Sequence, residues 1–232
     1  MDWFPLLNSL RIALIATVFT FFLGIFAAWY VAKLPRLVKG TLDVILTLPL
    51  VLPPTVVGFF LLKLLGPYGP VGSLVMKLWS ARITMTWYAS IFAVIIVTFP
   101  LMYRTVRGAF EAFDQDLIYA GRTLGRSNTW IFWRVLLPGC KQGLMAGTVL
   151  AFARGLGEYG ATSMVSGYTP VRTATISTPV YQLWRENNDA LAYRWVAVNV
   201  AISFAVLLAI NLLEKRERQS APRAPKEVET CP

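Results

Sequence analysis

The run Ile12-Ala-Leu-Ile-Ala-Thr-Val-Phe-Thr-Phe-Phe-Leu-Gly-Ile-Phe-Ala-Ala-Trp-Tyr-Val-Ala32 contains no charged side chain. A helix rising ~1.5 Å per residue needs about 20 apolar residues to cross roughly 30 Å of hydrocarbon, and this run supplies them. It is longer than the roughly 7–15 residues of a signal-peptide core, and Asp2 stands where such a peptide carries basic residues. The helix is therefore expected to stay in the mature protein.

The same pattern continues along the chain. Val44 to Leu62, Ile83 to Tyr103 and Trp195 to Leu213 are also free of charge, and Gly143 to Tyr168 is interrupted only by Arg154 and Glu158. The chain has 232 residues, 56% hydrophobic and 15% charged, against roughly 25% charged in a soluble domain. The expectation is an all-α membrane protein with five transmembrane helices, at about 10–33, 43–64, 83–104, 142–167 and 193–214. A hydrophilic stretch at about 105–141 separates the third and fourth, residues 1–217 form one membrane domain, and 218–232 read as a disordered tail.

A net charge of +10 would suggest nucleic acid in a soluble protein. In a membrane protein the basic residues collect in cytoplasmic loops. Lys33, Arg36 and Lys39 follow the first span, six basic residues from Arg104 to Lys141 follow the third, and five from Lys215 to Lys226 follow the fifth. These fall on one side when there are five spans, so the N-terminus is expected outside, the C-terminus in the cytoplasm, and no nucleic acid as partner. Histidine is absent and the two cysteines, Cys140 and Cys231, lie on the reducing side. That argues against a disulfide and leaves few ligands for a transition metal, so no metal site is expected.

The second span carries Pro49, Pro53 and Pro54 within Leu48-Pro-Leu-Val-Leu-Pro-Pro-Thr-Val-Val-Gly58. Each proline removes a donor and obstructs the preceding turn, so a broken helix facing a cavity or buried by neighbours is predicted. In the hydrophilic stretch, Phe110, Phe113, Leu117, Gly121 and Leu124 recur at helical spacing. Asp114 and Asp116 suit a helix N-terminus, Gly125 a terminator, and Ser127 or Asn128 the cap of a second short helix closed by Pro138.

Ala120-Gly-Arg-Thr-Leu-Gly125, nine residues, then Val135-Leu-Leu-Pro138 resembles the cytoplasmic loop signature of ABC importer permeases. That signature reads Glu-Ala-Ala, three residues, Gly, nine residues, Ile-x-Leu-Pro. Ala120, Gly125, Leu137 and Pro138 keep it, Val135 replaces Ile, and Tyr119 and Gly121 depart from Glu and the second Ala. The resemblance implies that Tyr119, Ala120, Gly121, Arg122, Thr123, Leu124, Gly125, Leu137 and Pro138 couple the chain to an ATPase. Leu48–Gly58 and Ala151-Phe-Ala-Arg-Gly-Leu-Gly-Glu-Tyr-Gly-Ala-Thr162 are similar to segments of molybdate permeases, with sulfate and tungstate permeases sharing much of the pattern. The resemblance further implies the ABC importer permease fold and a homodimer around a central pore in the cytoplasmic (inner) membrane. Two cytoplasmic ATPase subunits that bind ATP and Mg, an external oxyanion-binding protein and membrane lipid would be its partners. No cofactor is expected in this chain. It has no Gly-x-x-x-x-Gly-Lys-Ser/Thr loop and no Ser-His-Asp set, so no catalytic residue is expected and the chain is not read as an enzyme. A gradient-driven carrier is the alternative of another class, and it predicts internal repeats that the chain lacks.

Pro53, Pro54, Thr55, Gly58, Arg154, Glu158, Gly160, Thr162 and Ser163 are the candidates for the translocation path or gate. Arg154 and Glu158, four apart, share a helix face. They either line the pore, with Arg154 offered to a passing anion, or form a structural pair. The glycines around them serve close packing or a hinge, and the hydroxyls meet the anion or bond their own helix carbonyls. Neutralising Arg154 separates the first two readings: transport that survives with normal assembly excludes an anion contact.

Overall fold

The computed structural model describes residues 3–220, with side chains through residue 208. Every regular element among the described residues is helical. Helix α1 (Phe4–Ala32) opens with Pro5 in its first turn, where a missing donor costs nothing. It ends shortly before Pro35. The second apolar run becomes two helices, α2 (Arg36–Val51) and α3 (Pro54–Leu65), bent by 107° at Leu52-Pro53. Both break residues are extended, with ψ of 140° and 134°, as a residue before proline prefers. The segment expected over 43–64 is thus a folded pair that starts earlier, at Arg36.

A short α4 (Pro70–Trp79) leads to α5 (Trp87–Glu111), which begins at Trp87 rather than at residue 83. Then come α6 (Gln115–Thr123) and α7 (Asn128–Ile131), followed by a π turn over Phe132–Leu136 and the single turn α8 (Leu137–Gly139). After a 71° bend, α9 (Lys141–Leu156) runs to a second break, and α10 (Gly160–Ser166) resumes beyond it. The fourth apolar run is therefore also divided. Helices α11 (Thr178–Arg185) and α12 (Asp189–Ser220) follow. Helix α12 continues to Ser220, past residue 218 where the tail is expected to begin, and residues 221–232, with Cys231, lie outside the described residues. Among the described residues three helices are long and apolar enough to cross a membrane, or up to five if each bent pair counts as one span.

Helix α5 is the spine, packed against α1, α9 and α10, with α1 also against α9 and α3 against α10. Ile25, Ala28 and Val31 meet Met102, Tyr103, Val106 and Phe110, with Phe132, Leu136 and Leu144 closing one core. Val57, Leu61 and Leu65 meet Ala89, Ala93, Val97, Ala161 and Val165 in a second. The buried hydroxyl pairs Thr20–Thr98 (3.3 Å) and Ser90–Ser166 (2.7 Å) join α1 to α5 and α5 to α10. Asn8 donates to Ala174 O and Ser9 accepts from Ile176 N–H, tying the start of α1 to the loop before α11. Leu14, Val18 and Phe22 are exposed on α1, and only 11% of the apolar window of α12 is buried. Such faces suit hydrocarbon or another protein rather than water.

At the far end of α5, Asp43 pairs with Arg107 and accepts from Tyr103, while Glu111 Oε1 lies 2.9 Å from Arg107 Nε and 2.8 Å from Lys39 Nζ. This chain of charges binds α2 to the foot of α5.

The α3–α10 crossing depends on the absence of side chains. A Cβ on Gly58 would lie 2.8 Å from Met164 Cβ and 2.9 Å from Ala161 Cα. Gly58→Val is expected to destabilise the protein by about 1–3 kcal/mol through overpacking. Gly40→Ala, whose Cβ meets nothing within 4 Å, should be neutral or stabilising by up to about 1 kcal/mol through helix propensity. Thermal unfolding of the two variants in detergent checks the contrast.

Candidate functional site

The loop singled out by its spacing is built from local signals. Asp114 caps α6, its carboxylate accepting from Asp116 N–H at 2.9 Å. Gly125 ends it at φ +71°, with Gly125 N–H donating to Arg122 O and Arg126 N–H to Gly121 O. That pair of bonds is a Schellman motif, which needs a left-handed residue at this position. Ser127 caps α7 by accepting from Trp130 N–H at 3.2 Å.

The continuous apolar face from Phe110 to Leu124 is corrected. The helix stops at Glu111, because Asp114 as a cap takes extended backbone, and the five residues divide between separate elements. Phe110 is buried in α5, and Phe113 packs against Gly139 at the α8–α9 bend. Leu117 (51% exposed), Tyr119 (56%) and Leu124 (78%) stand outward with Ala120 and Thr123. Ile118 and Gly121 face inward, and a Cβ on Gly121 would press on Ile131 at 3.1 Å. An alanine here, as the signature has, would require the Ile131 side chain to give way by a few tenths of an ångström. Arg122 donates to Asn128 Oδ1 at 3.3 Å, and Thr123 to Tyr119 O. Leu137 and Pro138 lie at the bend into α9, not on α6; Pro138 sits inside the final turn, which closes at Cys140.

The path candidates come together where the two helix breaks meet. Pro53 and Thr55 are exposed at the start of α3, and Gly160 at the start of α10 lies against Pro54 and Thr55, its missing Cβ 2.9 Å from Pro54 Cβ. Glu158 is buried between α9 and α10, with 1% of its side chain exposed against 35% for Arg154. Its Oε1 accepts from Ala161 N–H at 2.8 Å. Its Oε2 lies 2.6 Å from Arg154 Nη1, a Coulombic contact outside hydrogen-bond alignment. The carboxylate thus fastens the last turn of α9 to the first turn of α10 across the break. Thr162 donates to Glu158 O and Tyr159 O, and Ser163 to Gly160 O, so these protons are held by the chain itself. Gly155 packs against Val94, whereas Gly157 is exposed at the break with nothing within 4 Å of a Cβ. Of the glycines near the pair, Gly157 has the room a hinge requires.

The Asp43–Arg107–Glu111–Lys39 cluster was not foreseen from the sequence. The i,i+4 spacing of Arg107 and Glu111 is a signal for one of its pairs; nothing in the sequence brings Asp43 to them. Arg11, whose guanidinium lies 3.6 Å over the Trp87 ring, was not foreseen either.

A family model described as binding-protein-dependent transport system inner membrane component matches residues 20–219. The chain belongs to this family of transporter membrane components. It is 36% identical over 223 residues to the molybdenum transport system permease protein ModB of Escherichia coli K12, covering 96% of this chain and 97% of that one. It is 31% identical over 207 residues to ModB of Azotobacter vinelandii, covering 87% and 89%. Among solved structures, a bacterial ABC transporter involved in alginate import matches with TM-score 0.72 at 17% identity, over 92% of this chain and 78% of that one. The MetNI methionine ABC transporter matches with TM-score 0.72 at 16% identity, over 93% and 97%. The fold is that of an ABC importer permease, and the chain is a multi-pass membrane protein.

In this permease, Glu158→Ala is expected to lower the unfolding temperature more than Glu158→Gln. The amide keeps an acceptor for Ala161 N–H, a cap interaction typically worth about 1 kcal/mol. Gly125→Ala should cost about 1–2 kcal/mol, the penalty of a left-handed residue with a Cβ. Thermal unfolding of the purified variants measures both.

Proposed function

We propose that this permease forms the translocation path for molybdate in an ATP-driven importer. Full-length similarity to permeases named for molybdenum transport carries the substrate reading. A chain of Chlorokybus atmophyticus named for sulfate transport is 30% identical over 206 residues, which makes sulfate the second reading, with tungstate beside it.

Five spans in the inner membrane, with the N-terminus outside and α6 in the cytoplasm, agree with the basic residues clustered around α6. Two copies would enclose the pore, since α12 leaves most of its apolar window uncovered within one chain. The outward row of α6, with Leu117, Tyr119, Ala120, Thr123 and Leu124, is a face suited to a cleft on an ATPase subunit. The two such subunits would bind ATP and Mg, and an external binding protein would deliver the oxyanion. The meeting of the two helix breaks, with Pro54 and Thr55 against Gly160, offers a place where helix ends can move against each other. Arg154 lies partly open beside it; its pairing with Glu158 supports a structural role, and Thr55 is the candidate hydroxyl that remains exposed.

The test is ATP-dependent uptake of radiolabelled molybdate into vesicles holding this chain, its ATPase and its binding protein, with sulfate and tungstate as competitors. Uptake should require ATP and be lost in Gly125→Asp, which disrupts the loop without touching the two breaks. Uptake driven by an ion gradient without the ATPase would overturn the importer, and sulfate winning the competition would overturn molybdate.

A further inference from the structure

A cavity of about 480 Å³ opens between the foot of α1, the start of α2, the foot of α5 and the inner face of α6. Its polar lining includes Lys33, Lys39, Gln115, Arg122 and Asn128, with Glu111 as the one acid, and Trp29 forms an apolar wall. Three cations against one carboxylate leave an excess of two positive charges on the lining. The carboxylate is already engaged, by Lys39 at 2.8 Å and Arg107 at 2.9 Å. Lys33 has no carboxylate partner among the described residues; its ammonium lies 3.7 Å over the Trp29 ring and 5.8 Å from that of Tyr30. The hydrogen-bond partner of Arg122 is a neutral amide, Asn128. The pocket is therefore furnished for an anion that the chain does not contain.

Its place in the fold narrows the anion. The pocket sits where the apolar body of α1 ends, at a tryptophan and a run of basic residues, a pattern that marks the level of lipid head groups. Tyr30, Leu37 and Val38, on the same two helices, are exposed apolar side chains along which acyl chains can lie. The cavity is lined on α6 by Gln115, Ile118 and Arg122, and not by Tyr119 or Leu124, although the Arg122 guanidinium also lies 5.8 Å from the Tyr119 ring. An occupant would thus sit between the membrane and the helix that meets the ATPase.

We propose that this pocket holds the phosphate of an anionic phospholipid head group from the cytoplasmic leaflet. The side of the membrane rests on the importer topology proposed above; the pocket and its charge do not. Lys33 and Arg122 grip the phosphate, Gln115 and Asn128 supply neutral hydrogen-bonding groups, and Trp29 walls the glycerol end. The lipid thereby steadies the inner face of α6 against α1 and α2.

The permease purified with its ATPase is incubated with phosphatidylglycerol, with phosphatidylcholine of equal chain length, or with inorganic phosphate, and read by native mass spectrometry. Phosphatidylglycerol should be retained by each permease copy and phosphatidylcholine should not. Lys33→Gln should weaken phosphatidylglycerol retention about fivefold, the factor of one cation near an anionic surface. Adding Arg122→Gln should weaken it further, and Lys33→Arg should preserve it. Equal retention of the two lipids, or retention unchanged in the glutamine variants, overturns the proposal. Inorganic phosphate that binds and displaces the lipid assigns the pocket to a free anion and overturns the lipid. ATP-dependent uptake by the same preparation separates the two readings. Selective retention without uptake sinks the transport reading alone, and uptake without selective retention sinks the pocket alone.

Discussion

A backbone carbonyl or N–H freed inside a membrane has no water to turn to, so every interruption of a helix must be answered by the protein itself. This chain interrupts two of its apolar runs, at Leu52-Pro53 and between Leu156 and Gly160. It answers by bringing the two interruptions together against α5. Gly58 and Gly160 let α3 and α10 approach until backbone meets backbone, and Glu158 supplies the acceptor that the first turn of α10 needs. The same carboxylate holds Arg154, so one buried side chain both caps a helix and balances a charge. Removing one partner of such a pair costs more than the pair contributes, because the other charge is left without compensation.

Helix α5 carries this junction to the opposite end of the molecule. Its upper part packs on α10 and α3, and its foot is held to α2 by Asp43, Arg107, Glu111 and Lys39. Only a short link separates it from α6, and within that link Phe113 is seated on Gly139 at the bend into α9. The contacts from α6 thus run to the feet of α5 and α9 together, and both of those helices lead to the breaks. The charged cavity behind α6 lies on this same route.

How much of this is legible in the sequence depends on whether the controlling interaction is local. Asp114, Gly125 and Ser127 each act on backbone a few residues away, and each does in the structure what its residue type suggests. The stripe from Phe110 to Leu124 misleads because the periodicity runs across the extended cap at Asp114. Spacing carries no record of a break in direction, so Phe113 turns to Gly139 while Leu117 and Leu124 turn outward. The prolines at 53 and 54 signal an interruption of the second span, but not a bend of 107°. That angle is set by what α3 packs against. The candidates Pro54, Thr55, Gly58 and Gly160 belong to separate stretches of sequence, and the fold gathers them at the α3–α10 contact. Thr162 and Ser163 draw notice for their hydroxyls, yet the backbone holds those protons.

From residue types and their order alone come the long uncharged runs, the one-sided distribution of Lys and Arg, the caps, and the spacing of the loop that resembles the permease signature. All are one-dimensional properties: hydrocarbon thickness sets the length of a run, and a cap needs only its near neighbours. The tertiary structure alone decides that the two breaks face each other, that Glu158 serves two helices, that Asp43 reaches Arg107, and that Lys33 and Arg122 share a cavity. Most of these join residues far apart in the chain. Such pairs are selected by how whole helices pack, where shape and satisfaction of polar groups are tested together and no short window of sequence contains both partners.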